Sequence, residues 1–361
     1  MSSIAFQVNR SDLSESRYQP LPDYKEITLD GGAVLQVEKF ALTANNITYG
    51  VAGDLIGYWQ FFPADLPWGH IPVWGIGTVV RSGHPDLSTG DRYYGYFPMA
   101  SYLLVKPEKV TVRGFADGAS HRSELPAVYN QYSLMTEENG FKPGFDDHQM
   151  IYKPLFTTSF VLNDFLEDNS FFGAKKVILS SASSKTSFGL AYLLNQSKQV
   201  NVVGLTSDKN RGFVDALGVY DQIVTYDELG SLAAEERVVY VDMAGNRSVL
   251  AGLHHLFKDN MAYSCGVGIT HWDNRDGEDP ASLPGARPRM FFAPDQIQKR
   301  HKDWGAQTYQ ANLANAWEGF IGKVDDWVTI VHGQGDEAVE KTYQRVLQGA
   351  PPNEGYVLAI E

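Results

Sequence analysis

The feature that most constrains the fold is an alternation of short apolar runs with helix-forming segments in the second half of the chain. Five runs have the length and composition of strands: Val177–Ser180, Val200–Thr206, Gln222–Thr225, Val238–Asp242 and Ala262–Ile269. Helices are predicted between them, at Ser187–Gln196 and Lys209–Leu217 among others. Strands that alternate with helices predict a parallel sheet with right-handed crossovers. Residues 151–315 are therefore predicted to form an α/β domain.

The rest of the chain has a different pattern. Residues 1–150 are predicted to be a β-rich domain, with half-buried strands such as Ala33–Phe40 and frequent glycines and prolines that suit a small barrel or a sandwich with bulges. Within it, residues 115–150 are predicted to be a long irregular connection. Residues 316–361, with two strand-like runs around a helix at Glu337–Gly349, are predicted to return to the first domain.

Composition excludes several classes of function. A formal net charge of −13 argues against a general nucleic-acid binder. Cys265 is the only cysteine, so no intrachain disulfide can form, and the nine histidines show no pair spaced for a metal site. The chain starts without a signal-like segment and has no apolar run long enough to span a bilayer. These observations predict a cytoplasmic protein without a metal ion or a membrane anchor.

The turn after the first strand of the α/β domain is the best candidate for a cofactor site. In dinucleotide-binding folds, this strand–turn–helix position holds the phosphates against main-chain N–H groups. The turn lacks the G-x-G-x-x-G spacing and has small hydroxyl side chains and a lysine instead. The predicted phosphate ligands are Ser181, Ser183, Ser184, Lys185 and Thr186. The alternative is a degenerate loop in a protein that has lost its cofactor.

The end of the second strand indicates which dinucleotide would bind. NAD sites have an acidic residue about 20 positions after the glycine loop, where it bonds the ribose 2′-hydroxyl. Here Thr206 and Ser207 are neutral, and Lys209 and Arg211 follow closely. Hydroxyls and cations suit a 2′-phosphate, so NADPH is predicted rather than NADH. Asp208 is the counter-evidence, and the alternative for the two cations is an ordinary solvated helix start.

The order of elements resembles the medium-chain dehydrogenase/reductase superfamily. Pro72–Val80 is similar to a glycine-marked strand of that family, and Ser88–Gly95 is similar to its Gly-Asp turn. Val177–Ser184 resembles the phosphate loop of the zinc-free quinone reductases, with serines in place of glycines. The resemblance implies a Rossmann nucleotide-binding domain, a β-barrel catalytic domain related to the GroES co-chaperonin, and a C-terminal return to that barrel. The family's zinc ligands cannot be assembled with one cysteine.

The resemblance also implies site residues. Ala44–Gly50 is similar to the segment that lines the substrate site in zinc-free members, which makes Tyr49 the candidate proton donor and Asn46 a substrate contact. The alternative for Tyr49 is a core tyrosine. Ser264, Gly266 and Gly268 fall where the family's backbone approaches the nicotinamide, and Phe292 is a candidate wall of that pocket. Family analogy further implies a homodimer.

A second group of candidates lies in the predicted connection. His121 and Tyr132 are alternative proton donors, and three neighbours are candidate substrate ligands: Arg122, Tyr129 and Asn130. Together they offer an imidazole, a cation and phenols that suit an anionic substrate. The alternative is a polar packing segment.

The sequence thus predicts a zinc-independent, NADPH-dependent oxidoreductase that transfers hydride to a carbonyl or an activated alkene of the quinone or enone type. Its partner would be a small-molecule substrate rather than a nucleic acid or a membrane. A non-catalytic nucleotide-binding or sensing relative with the same fold is the alternative. A Rossmann methyltransferase using S-adenosylmethionine is disfavoured by the barrel-like first domain.

Overall fold

The structure, a computed structural model, describes residues 3–267 and 279–361. The described strands in chain order are β1 Ile4–Asn9, β2 Asp12–Pro20, β3 Ala33–Leu42, β4 Trp68–Gly69, β5 Val73–Ser82, β6 Arg92–Phe97, β7 Tyr102–Val105, β8 Pro107–Thr111, β9 Gly114–Asp117, β10 Gln131–Leu134, β11 Lys176–Leu179, β12 Asn201–Thr206, β13 Gln222–Thr225, β14 Val238–Asp242, β15 Met261–Gly266, β16 Arg289–Met290, β17 Thr329–Gln334 and β18 Glu354–Ala359. The described α-helices are α1 Ala44–Val51, α2 Gly53–Ile56, α3 Asp146–Asp168, α4 Lys185–Ser197, α5 Arg211–Leu217, α6 Arg247–Phe257, α7 Ala293–Trp304, α8 Ala306–Val324 and α9 Asp336–Leu347.

The chain divides into two compact units. Unit 1 contains residues 1–151 and 329–361, and unit 2 contains residues 152–328. Unit 1 is therefore built from two separate stretches of sequence, which sheet pairing joins: β18 runs antiparallel to β3 and parallel to β17.

Unit 2 contains a six-stranded parallel sheet in the order β13-β12-β11-β14-β15-β16. The central strands β11 and β14 are buried along their whole length, as their continuous apolar sequences predict. Chain order runs outward from β11 in one direction and then from β14 in the other, so the sheet reverses between these two strands. In open α/β sheets, ligands bind at the carboxyl ends of strands near such a reversal.

Unit 1 contains a three-stranded sheet, β2-β1-β4, and a nine-stranded sheet that follows the path β17-β18-β3-β5-β6-β10-β9-β8, with β7 also on β3. Among the described residues this path is open, so the closed barrel expected from the sequence does not form. One edge of β3 is shared by two strands: residues 33–36 pair with β7, and residues 40–42 pair with β18. A core of aliphatic and aromatic side chains fills this unit.

The predicted irregular connection over residues 115–150 is wrong as a description of local structure. Strands β9 and β10 pair with each other, and β10 also pairs with β6, so this segment extends the large sheet. Short 3-10 turns join these strands, and α3 begins at Asp146. The turns between these short strands carry hydroxyl and charged side chains, so the sequence has no continuous apolar run from which the strands could be predicted.

None of the helices described is long and apolar enough to cross a membrane. Within residues 3–267 and 279–361, no group of three or more His, Cys, Asp or Glu side chains is arranged to hold a metal ion.

Candidate functional site

The turn after β11 is fixed by side chains rather than by glycines. Ser180 Oγ donates to Asp242 Oδ1 at 2.8 Å and accepts the Met243 N–H at 2.8 Å, which ties the carboxyl ends of β11 and β14 together. Ser181 then adopts a left-handed conformation, with φ at 47°. That backbone region is normally reserved for glycine, so the turn keeps the shape of a glycine loop with a serine in the strained position.

Several N–H groups of this turn already have partners inside unit 2. The Ser181 N–H donates to the Tyr226 hydroxyl at 2.9 Å, and the Ala182 N–H donates to the Leu205 carbonyl at 2.9 Å. The Ser184 side chain caps α4 by accepting the Ser187 N–H. A bound phosphate would therefore meet hydroxyl groups and the positive end of α4 more than the N–H groups of the turn.

Close packing holds α4 in position behind the turn. The Ser159 hydroxyl donates to the Thr186 carbonyl at 2.8 Å, and a β-carbon at Gly189 would lie 2.9 Å from the same hydroxyl oxygen. Gly204 has the same role on β12, because a β-carbon there would lie 2.9 Å from Cβ of Ala182. The two glycines let the helix and the turn approach their neighbours.

A cavity of about 150 Å³ opens at the carboxyl ends of β11, β12, β13 and β14. Its lining is uncharged and rich in hydroxyl and amide groups: Ser181, Ser183, Thr206, Ser207, Asn210, Tyr226, Ala244 and Asn246. Asn210 donates to the Ser183 hydroxyl at 3.2 Å, which links the turn to the segment after β12. The cavity is thus a neutral, hydrogen-bonding site at the ligand-binding edge of the sheet.

Thr206 provides the clearest sign that the cavity is built for a ligand. The residue is only 1% exposed, and its hydroxyl has no hydrogen-bond partner among the described residues. Leaving a buried hydroxyl unpaired costs about 1–3 kcal/mol. Because Thr206 lines the cavity, a polar group placed there would remove this penalty.

The predicted cations lie beside the cavity but do not line it. Lys209 is exposed, and Arg211 donates to Glu228 Oε2 at 3.0 Å with both side chains largely in solvent. Glu228 also accepts from the Thr225 hydroxyl, and this hydrogen bond lowers the pKa of the Glu228 carboxyl. In this arrangement the charge of Arg211 is partly neutralised by an acidic neighbour.

The candidates on β15 and beyond lie apart from the cavity lining. The Ser264 hydroxyl is hydrogen-bonded to His254 Nε2 at 3.0 Å and is buried. Gly266 has Met290 beside it, and Phe292 precedes α7 with 55% of its surface exposed. Gly268 lies outside the described residues. The contacts of Ser264 favour a packing role.

In unit 1, Tyr49 lies on α1 within a cluster of aromatic residues. Its ring centroid is 4.4 Å from that of Tyr58 and 5.9 Å from that of Tyr96. The Tyr49 hydroxyl accepts a hydrogen bond from the Asn45 amide at 2.6 Å. Burial raises the pKa of Tyr49, Tyr129 raises it further, and contacts with Trp74, Asn45 and Tyr96 act in the opposite direction. The phenol is therefore protonated at neutral pH and can donate a hydrogen bond.

Asn46 has a structural task. Its side-chain oxygen accepts from both the N–H and the hydroxyl of Thr43, and its amide donates to the Pro72 carbonyl at 2.9 Å. These bonds cap the start of α1 and tie it to the segment before β5. The neighbouring Asn45, and not Asn46, reaches the hydroxyl of Tyr49.

Arg122 and Tyr132 are buried in the packing of unit 1. Arg122 forms an ion pair with Asp117 at 3.1 Å, with both side chains almost inaccessible, and also donates to the Phe61 carbonyl. The Tyr132 hydroxyl donates to the Tyr96 carbonyl, and burial raises the pKa of Tyr132 to about 12. These contacts favour a structural role for both residues.

The remaining candidates from this segment lie around the aromatic cluster. The Tyr129 and Tyr58 hydroxyls are 3.0 Å apart and share a hydrogen bond. His121 Nε2 lies 3.2 Å from the Phe61 carbonyl, and the Asn130 amide donates to the Arg122 carbonyl at 3.1 Å. Tyr129 thus joins Tyr49 in one cluster, whereas His121 and Asn130 bond to main-chain groups.

Several residues at these sites were not predicted from the sequence, among them Asn210, Ala244 and Asn246 in the cavity lining. Tyr226 lines the cavity and holds the turn at Ser181. Trp74 and Tyr96 contact each other and Tyr49 or Tyr129 from adjacent strands β5 and β6. The alternation of aromatic residues on these strands is visible in the sequence, but it does not show which side chains lack a hydrogen-bond partner.

The chain shares its fold with solved oxidoreductase structures over nearly its whole length. CurA from Vibrio vulnificus, solved in complex with NADPH, is 14% identical with a TM-score of 0.62, over 95% of this chain and 94% of that chain. YhdH of E. coli K-12 with bound NADPH is 16% identical with a TM-score of 0.56, over 99% and 100%. The quinone oxidoreductase from Coxiella burnetii is 15% identical with a TM-score of 0.54, over the full length of both.

Sequence comparison gives the family. A family model described as "Protein of unknown function (DUF2855)" matches residues 40–351, and the chain belongs to this family. A search of curated proteins finds none that matches.

Proposed function

We propose that the protein is an NADPH-dependent oxidoreductase that transfers hydride to a carbonyl or to an activated alkene. The observation that carries the proposal is the cavity at the carboxyl ends of β11–β14, with the buried and unpaired hydroxyl of Thr206 in its wall. The NADPH-bound structures of the same fold support the choice of cofactor.

The residues present suit a phosphorylated dinucleotide. Ser183, Thr206 and Ser207 line the cavity, and the N-terminal end of α4 favours an anion near the turn. No acidic side chain lines the cavity in the described part of the chain, so the carboxylate that would bond a ribose 2′-hydroxyl is missing there. Lys209 and Arg211 are the cations that would neutralise a 2′-phosphate beside it.

When bound, the nicotinamide supplies the hydride, and the protein orients and polarises the substrate. Tyr49 is the residue we assign to polarisation, since its phenol stays protonated at neutral pH and its oxygen is fixed by Asn45. Because its pKa is raised, Tyr49 would act by donating a hydrogen bond to the substrate rather than by losing its proton readily.

Three finer features belong to the same proposal. Zinc independence is supported by the single cysteine, Cys265, which is buried where burial raises the pKa of its thiol. A cytoplasmic location is supported by the same unpaired cysteine. A homodimer rests on family analogy alone.

The experiment is a calorimetric titration of the purified protein with NADPH and with NADH. We expect saturable binding of NADPH and weaker binding of NADH. A protein that binds neither at millimolar concentration would contradict the proposal. Binding of NADPH without turnover of any carbonyl or enone substrate would instead support the non-catalytic nucleotide-binding alternative.

A further inference from the structure

The outer edge of strand β17 has no neighbouring strand. β17 ends the path of the nine-stranded sheet and pairs, among the described residues, with β18 alone. The Thr329 N–H donates to the Asn353 carbonyl at 2.9 Å, which fixes the residues of β17 that bond to β18. Because successive residues of a strand turn their main-chain groups to opposite sides, three residues direct their N–H and C=O groups away from β18: Ile330, His332 and Gln334. None of these groups has a main-chain partner in the described part of the chain.

Strand β8, at the opposite end of the same path, shows how an exposed edge is normally protected. It begins with Pro107, its residues Glu108 and Lys109 are exposed, and its register with β9 shifts after Glu108. Proline, charged side chains and irregular register are the usual devices that prevent edge-to-edge pairing. β17 has none of them: its sequence Thr-Ile-Val-His-Gly-Gln contains no proline, lysine, arginine or carboxylate, and its register with β18 is continuous.

The side chains of β17 leave this edge open. Successive side chains of a strand point to opposite faces of the sheet, so His332 and Gly333 lie on different faces. His332 Nε2 is 2.7 Å from Asp147 Oδ2 on one face, and a β-carbon at Gly333 would lie 3.3 Å from Cβ of Ala338 in α9 on the other. Both contacts lie above or below the sheet rather than in its plane. Val331 is 39% exposed and the His332 side chain 64% exposed, so a strand can approach from the side.

The edge is complementary to itself. If two copies of β17 run antiparallel about a two-fold axis at His332, Ile330 of each copy faces Gln334 of the other, and the two His332 residues face each other. Antiparallel residues in such positions exchange N–H and C=O hydrogen bonds, so every outward main-chain group finds a partner. Val331 of each copy then lies opposite Gly333 of the other, which places a large side chain against a small one.

We propose that β17 is a dimerisation strand, through which two copies of the chain pair edge to edge about a two-fold axis at His332. The nine-stranded sheets of the two copies then form one continuous sheet. A second copy is favoured over an unrelated extended peptide because the register and the size match both come from the strand itself, as an isologous interface requires. The inference goes beyond the proposed function and does not depend on cofactor binding.

The first test is sedimentation equilibrium of the full-length protein over a range of concentrations. A strand pair of this length buries less surface than a standard interface of about 1,600 Å², so we expect a dimer that dissociates on dilution. V331K places two ammonium groups diagonally across the strand pair, and we expect it to weaken the dimer about tenfold or more. V112K is the matched control, because it introduces the same side chain at a valine that is 85% exposed on the turn between β8 and β9. Its dissociation constant should equal that of the wild type.

A second variant acts on the main chain. H332P removes an outward N–H that bonds nothing within the described part of the chain, and proline is tolerated on an edge where the N–H faces solvent. We expect H332P to weaken the dimer about tenfold or more, since two central hydrogen bonds are lost. The thermal midpoint checks that each variant is folded, and V331K tests the proposal without any change to the main chain.

Amide hydrogen exchange locates the interface. At a concentration where the wild type is dimeric, we expect slower exchange in a peptide spanning residues 329–335 than after dilution, with no change in residues 107–111 of β8. V331K should lack this concentration dependence. A wild type that stays monomeric up to millimolar concentration would overturn the proposal. A dimer that V331K and H332P do not weaken, or one that protects other segments and leaves β17 unchanged, would also overturn it.

Discussion

Single buried polar atoms carry much of the functional argument. Thr206 places a hydroxyl in the interior of unit 2 without a partner in the described residues. A folded protein tolerates such atoms only at a cost of about 1–3 kcal/mol each. Where the protein itself offers no hydrogen-bond partner to a buried hydroxyl, a bound ligand can supply the partner.

The unpaired hydroxyl of Thr206 can be removed by a single substitution. T206V keeps the shape of the side chain and replaces the unpaired hydroxyl with a methyl group, so we expect stability to be unchanged or slightly increased. We expect NADPH affinity to fall about tenfold, since one hydrogen bond is lost. Chemical denaturation and calorimetric titration of the same preparation check the two halves. A variant that loses stability but keeps its affinity would contradict the assignment.

The two cations make a separate prediction about cofactor choice. In R211A the guanidinium is lost, and we expect NADPH affinity to fall about tenfold while NADH affinity is unchanged, because only NADPH carries the 2′-phosphate. E228Q is the complementary variant, since it releases Arg211 from its ion pair at 3.0 Å. It should raise the preference for NADPH. Titrations with both cofactors measure the ratio, and an equal loss for both in R211A would argue against the 2′-phosphate contact.

Arg122 leads to a prediction of the opposite kind. R122A leaves the buried carboxylate of Asp117 without its ion-pair partner, and breaking a buried pair in this way costs about 3–5 kcal/mol of unfolding free energy. Urea unfolding measures the change, and R113A, at an exposed arginine, is the control expected to stay within about 0.5 kcal/mol of wild type. A mild effect of R122A on stability, with a large effect on turnover, would restore it as a substrate ligand.

At the residue scale, the sequence predicted the small polar residues of the cavity better than the role of charged ones. Ser181, Ser183, Thr206 and Ser207 line the cavity because position after a parallel strand determines which residues reach the sheet edge. The burial of Arg122 depends on Asp117, and no local pattern in the sequence shows that pair. Long-range pairing of this kind follows from the tertiary fold alone.

At the scale of elements, the turn between β11 and α4 has a positive φ typical of a glycine loop, but a serine occupies that position. Ser181 holds a φ of 47° that glycine would adopt without strain. We predict that S181G raises the unfolding free energy by about 1 kcal/mol, whereas S183G, at a position without positive φ and with a hydrogen bond from Asn210, lowers it. Thermal and urea unfolding of both variants check this contrast. Destabilisation by S181G would show that the Ser181 side chain contributes more than the strain it introduces.

Element prediction succeeded where the hydrophobic pattern was long or continuous. Strands β11 to β14 match the predicted runs to within a residue, and the final helix and strand match α9 and β18 closely. The strand predicted at Ala262–Ile269 is described as β15 up to Gly266, and its last two residues lie outside the described part. Prediction failed for β9 and β10, which are four residues each and interrupted by turns, because such short runs carry too little periodicity.

The same limit applied to α1. The resemblance over Ala44–Gly50 predicts a substrate-site segment but no helix, although the residues around Thr43 and Asn46 form the cap of α1. The resemblance therefore gives Asn46 the role of a substrate ligand. Its bonds to Thr43 and Pro72 could be inferred only after the path of the chain was known.

For the whole molecule, acid should weaken the folded state through His70. His70 is buried, its Nδ1–H donates to the Phe6 carbonyl, and its Nε2 accepts from the Gln7 amide. Burial lowers the pKa of His70 from 6.5 to about 4, so the unfolded chain binds this proton at a higher pH than the folded protein does. The stability that depends on neutral His70 is complete above pH 6.5 and is lost as pH falls toward 4.

The measurement is urea unfolding of wild type and H70Q across this range. We expect the advantage of wild type over H70Q to be largest above pH 6.5 and to shrink by about 3 kcal/mol or less near pH 4. The difference in unfolding free energy between the two proteins removes the effect of carboxylates that both share. One of these is Asp147: its burial raises its pKa, but its hydrogen bond with Lys39 and its other contacts lower the pKa overall. A difference that stays constant with pH would show that His70 is not the titrating group.

The discontinuous makeup of unit 1 has a consequence for how the protein is synthesised. Strand β3, at residues 33–42, receives its neighbour β18 only when residues 354–359 have left the ribosome, whereas unit 2 is continuous in sequence. The middle of the nascent chain can therefore fold while the large sheet of the first unit still has an unpaired edge. Unpaired strand edges are templates for aggregation, so the part of β3 that pairs with β18 is an aggregation-prone edge until residues 354–359 have been synthesised.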